Sequence, residues 1–113
     1  MLITWFHQYI HTYETAHNPY PGSQKGVVLG EYTFENAKSL TVILDYQTDD
    51  YGDYFYIYDS STATSGINNN KKYIGGRTKE IVTINSNYIK IKFTSNGVNN
   101  NYCGLKAIVI PNY

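Results

Sequence analysis

The stretch Asn87-Tyr88-Ile89-Lys90-Ile91-Lys92-Phe93-Thr94 alternates strictly, with Ile89, Ile91 and Phe93 on one side of an extended chain and Lys90 and Lys92 on the other. A period of two is the signature of a strand with one buried and one wet face, as found in antiparallel sheets. The same rhythm recurs upstream in Leu40, Val42 and Leu44, and downstream in Leu105, Ala107 and Val109 against Lys106. Strands are therefore expected at 27–34, 39–46, 53–59, 71–74, 79–84, 87–94 and 103–110. Residues 2–13 read as one or two more, or partly as a leader. Between them, Asn18-Pro19-Tyr20-Pro21-Gly22 is a Pro/Gly crossing that cannot be a central strand. Asn85-Ser86 is expected to be a short hairpin turn. The stretch 60–70 reads as a polar loop, as do the runs of asparagine at 68–70 and 99–101. With helical periodicity poor everywhere and turn residues every ten or so positions, the fold class is all-β, an antiparallel β-sandwich. Leu40, Val42, Leu44, Phe55, Ile57, Ile89, Ile91, Phe93, Leu105 and Val109 should form its core.

A chain of 113 residues fits one domain. Charged residues make up 16% and the formal net charge is +0, so no long-range field recruits polyanions, and nucleic acid is not expected as the main partner. No apolar run reaches the roughly 18 residues of a membrane span. The single cysteine, Cys103, excludes an internal disulfide and reads as a half-buried filler. Residues 1–12 lack the basic start and apolar stretch of a signal peptide. They are set apart as an N-terminal segment or leading strand before a domain at 13–113. The chain is expected to be a mature fragment, an excised domain or an intracellular protein.

Acidic residues are few, yet Asp45, Asp49, Asp50, Asp53 and Asp59 fall in what reads as a single hairpin, with Asp45 closing one strand and Asp53 opening the next. Clustered carboxylates repel unless a cation neutralises them, and Ca²⁺ suits a loop of oxygen donors. A hydrated acidic turn is the simpler explanation on spacing alone. Tyr54, Tyr56 and Tyr58 form an alternating stripe. Exposed, it could stack on sugars or anchor a protein; otherwise it covers a sheet face while Phe55 and Ile57 fill the core. His7 and His11 would share a face only on a helix, and the region reads as extended. His17 reads as structural. No nucleophile–base set or phosphate loop is evident, so no enzymatic activity is expected.

Four places in order resemble a CUB domain, in its cysteine-poor variety. They are Glu14-Thr15-Ala16-His17-Asn18-Pro19-Tyr20-Pro21, Ala37-Lys38-Ser39-Leu40-Thr41-Val42, Asp53-Tyr54-Phe55-Tyr56-Ile57-Tyr58-Asp59, and Phe93-Thr94-Ser95-Asn96 followed by Gly104-Leu105. The resemblance spans residues 14–110. It implies a jelly-roll-like sandwich and a non-catalytic accessory module for protein binding or adhesion, often calcium-dependent. It places Asp45, Asp53 and Asn96 at the family's metal positions. Asp49 resembles the acidic member of a Thr-Glu pair, and Glu14 is a further candidate ligand. Asp45 stands where the family has Glu, Asn96 where it has Asp, and Tyr51-Gly52 is swapped in order. An extracellular or cell-surface location is favoured, with the cytoplasm left open. Two other readings stand beside this one. One is a carbohydrate-binding module using Tyr54, Tyr56 and Tyr58. The other is an assembly subunit or homo-oligomer joined through edge strands and an N-terminal arm of Trp5, Phe6 and Tyr9.

Overall fold

The computed structural model of the chain describes residues 10–16, 22–49, 52–96 and 102–113. Seven strands are present among them: β1 (His11–Glu14), β2 (Val27–Thr33), β3 (Ser39–Gln47), β4 (Tyr54–Tyr58), β5 (Gly76–Ile84), β6 (Tyr88–Thr94) and β7 (Gly104–Asn112). They form two antiparallel sheets, one of four strands in the order β1-β7-β3-β5 and one of three in the order β2-β6-β4. The sheets pack face to face as an all-β sandwich.

The core is where the alternation puts it. All ten residues expected there are at most 1% exposed, joined by Phe34, Tyr73, Ile84 and Ala107. Tyr46, Phe55 and Tyr73 form a three-ring cluster, with Tyr46 edge-on to both and Tyr73 stacked on Phe55 at 5.0 Å and 13°. Gly30 on β2 lies directly under the ring of Tyr13 on β1, where a Cβ would come within 2.1 Å of ring carbon. That close approach lets an aromatic bridge the edges of the two sheets.

Three expectations need correction. Residues 45–59 are no hairpin, because β3 and β4 lie in different sheets. Asn85-Ser86 likewise carries the chain from β5 in one sheet to β6 in the other. The reason is shared: apolar rows such as Val82-Ile84 and Ile89-Ile91 are buried by facing each other across the core, which an arch allows and a hairpin does not. The stretch 71–74 supplies only an isolated bridge, Tyr73 with Phe55, while β5 starts earlier than expected, at Gly76. At the N-terminal side the leading strand expected up to residue 13 is present in part, as β1, which crosses the boundary between residues 12 and 13 and pairs with β7.

Within the 60–70 loop, a one-turn helical segment, α1 (Ile67–Asn70), contains Asn68, Asn69 and Asn70 at φ of 57°, 61° and 57°. Asparagine tolerates the left-handed region better than most residues. That gives this asparagine run a conformational role that compositional bias does not supply.

Candidate functional site

The inward rows do not end where the strands end. One step beyond Tyr13 on β1 lies Thr15, beyond Tyr46 on β3 lies Thr48, before Phe55 on β4 lies Asp53, and beyond Phe93 on β6 lies Ser95. These four and Asp49 are the buried polar residues among those described, each at most 6% exposed. Strand directions bring all five to one end of the sandwich, so the interior is apolar for most of its length and polar at one tip.

The tip is stitched together across the two sheets. Thr48 Oγ1 donates to the Asp53 carbonyl at 2.9 Å and accepts from the Gly75 amide at 3.0 Å. Asp53, fully buried, accepts the Asn96 amide on Oδ1 at 2.7 Å. The Asn96 side chain reaches Gly52, where a Cβ would be 3.3 Å from Nδ2. Asn96 and Ser95 hold the segment after the Pro/Gly crossing, through the Asn96 carbonyl to the Ser23 amide and the Gln24 carbonyl to the Ser95 amide. At the β1–β7 corner, Thr15 Oγ1 accepts the Leu105 amide at 3.0 Å. Gly104, at φ +79°, leaves room for that hydroxyl, since a Cβ there would sit 2.0 Å from it.

Of the residues expected to hold a cation, the structure brings Asp53 and Asn96 into direct contact and places Asp49 at the same tip. Asp45 and Glu14 are elsewhere. Asp45 alternates with the buried Leu44 and Tyr46 and so faces outward from the four-stranded sheet. There it accepts the Lys79 amide at 3.0 Å, where the β3–β5 register slips and Lys79 takes φ 55°. Its carboxylate satisfies a bulge donor that the ladder leaves over. Glu14 also points outward, opposite Lys106, which is in turn opposite Asp45. Sequence separation put Asp45 beside Asp53; the pleat turns it to the other side of the sheet. Among the described residues, no group of three or more His, Cys, Asp or Glu side chains is placed to hold a metal.

The outer face near Asp45 holds a groove of about 240 Å³ lined in part by Arg77, Cys103 and Lys106. Cys103 is exposed there, in the loop before β7, and does not fill the interior. His11 belongs to an aromatic cluster, 4.2 Å from Tyr32 and 4.9 Å from Phe34 between ring centres. The tyrosine stripe lies on the outer face of β4, with Tyr54 and Tyr56 half-buried and Tyr58 buried, while Phe55 and Ile57 fill the core. Burial first, then the neighbouring Tyr56 and Tyr54, raises the Tyr58 phenol above its ordinary pKa. Trp5, Phe6, His7, Tyr9, His17, Asp50 and Asn99 to Asn101 lie outside the described residues. No described helix is long and apolar enough to cross a membrane.

Comparison of the chain with protein-family models finds no match, and comparisons with curated proteins and with solved structures find none either.

Proposed function

We propose that this chain is a non-catalytic binding module of the CUB-like kind, in which Ca²⁺ at the polar tip orders the surrounding loops for a protein partner. The observation that carries the reading is the confinement of the buried polar residues, two carboxylates included, to one end of an otherwise apolar interior. A buried carboxylate costs several kcal/mol unless charge or strong hydrogen bonds compensate it. Asp49 and Asp53 with the Asn96 amide oxygen are hard donors on loop backbone, the chemistry Ca²⁺ prefers. The ligand set is thus narrower than the resemblance alone implies, since Asp45 and Glu14 face away. Two carboxylates attract a divalent ion modestly, in the roughly 10⁻⁴ to 10⁻³ M range of extracellular modules. The jelly-roll-like winding and a place outside the cell belong to the same reading.

Calcium titration followed by the backbone amide resonances tests it. Asn96, Asp53 and Gly52 should shift together at millimolar calcium, and Asp53→Asn should abolish the response, while Asp45→Asn leaves it intact. Shifts centred on Asp45, Glu14 and Lys106 would place any cation on the wrong face for this account.

A further inference from the structure

The outer face of the three-stranded sheet collects aromatic rings and ammonium groups. Tyr54, Tyr56 and Tyr58 rise from β4 with ring centres 5.4 and 6.3 Å apart, and Lys90 and Lys92 stand beside them on β6. Lys72 reaches the same face from the segment after α1. Its Nζ lies 4.6 Å from the centre of the Tyr54 ring; those of Lys90 and Lys92 lie 5.4 and 5.5 Å from that of Tyr58. Such contacts orient an ammonium group without cancelling its charge. The ion pair found among the described residues, Lys71 with Glu80, does not involve these three. Glu31, across from Lys90 on β2, takes the Tyr88 hydroxyl, and exposed Asp59 lies past the end of β4. In a chain of formal net charge +0, three cations are thus gathered on one face and fixed over rings.

We propose that this face binds an anionic polysaccharide, whose sugar C–H faces meet the half-buried rings of Tyr54 and Tyr56 while its carboxylate or sulfate groups meet Lys72, Lys90 and Lys92, the last two seated over the buried Tyr58. Charge complementarity argues for a polyanion, and the rings argue for one that offers flat apolar faces as well as charge. An acidic peptide would bind best as an added strand, which needs an open sheet edge. The edge beside the tyrosines is closed. Phe55 exchanges both of its outer backbone hydrogen bonds with Tyr73, at 3.1 and 3.0 Å, and Gly66 packs against the Ile57 carbonyl. This surface is separate from the polar tip, so binding here needs no calcium.

The test uses the full chain in chelator, with heparin and polygalacturonate fragments as probes beside neutral dextran, polyglutamate and single-stranded DNA. One of the two anionic saccharides should bind in a salt-sensitive manner, and dextran should not. The Lys90→Gln/Lys92→Gln double variant should weaken saccharide binding roughly tenfold. Lys38→Gln/Lys106→Gln removes the same charge away from this face and should leave binding unchanged. Tyr54→Ala/Tyr56→Ala should weaken saccharide binding, with an unchanged melting temperature for the lysine variants confirming that the fold is intact. The proposal is overturned by failure of both anionic saccharides to bind, by equal losses in the two lysine pairs, or by polyglutamate or DNA binding as tightly as the saccharides.

Discussion

Tyr88 and Tyr46 each donate a hydroxyl hydrogen bond to a carboxylate, Tyr88 to Glu31 and Tyr46 to Glu80 Oε1 at 2.6 Å. Burial, then the hydrogen bond and charge of Glu31, push the Tyr88 phenol up to about 12. Burial and Glu80 push Tyr46 up as well. A pKa raised on folding gives stability that is fully present below the ordinary phenol value of about 10 and lost as pH rises through the folded value. Melting temperature should therefore fall steadily between about pH 10 and 12, and Tyr88→Phe should flatten part of that fall. A profile unchanged by the substitution would show that folding does not hold the Tyr88 phenol protonated. Gly104 gives a second residue-scale expectation. With φ +79° and the Thr15 hydroxyl 2.0 Å from a would-be Cβ, Gly104→Ala should destabilise by about 2 kcal/mol or more in urea unfolding. Thr15→Ala combined with it should recover part of the loss, because the hydroxyl is what the methyl strikes.

At the scale of elements, the strands and their inner faces were legible because period-two alternation reports burial directly. The same rule, carried one step past each strand end, reaches Thr15, Thr48, Asp53 and Ser95. Three of these do not stand out in the sequence as site residues, because threonine and serine at strand ends look like ordinary turn chemistry. Asp45 misleads for the opposite reason: it is near Asp53 in sequence, but its odd position in a strand whose even positions face the core turns it outward. The arches between β3 and β4 and between β5 and β6 look like hairpins in the sequence, since short turn-like connections do not say whether a chain stays in its sheet or crosses the core. The asparagine run of α1 carried a signal, namely tolerance of the left-handed region. Asn69→Gly should be close to neutral, and Asn69→Val should cost about 1–2 kcal/mol by chemical denaturation. Equal effects from the two would mean that this turn does not depend on its backbone conformation.

The whole molecule is a sandwich whose apolar interior ends in a polar, carboxylate-bearing tip. A ligand that binds the folded chain and not the unfolded one raises stability by mass action. At calcium 100 times the dissociation constant the gain is about 2.7 kcal/mol. For a domain of this size that is a rise on the order of ten degrees in melting temperature. The decisive measurement is the melting temperature in excess calcium against chelator, for the wild-type chain, Asp53→Asn and Asp45→Asn. If Ca²⁺ binds at the tip, a rise of that order is expected in the wild type and in Asp45→Asn, and almost none in Asp53→Asn. No rise in the wild type at tens of millimolar calcium, or a rise that survives Asp53→Asn, would contradict it.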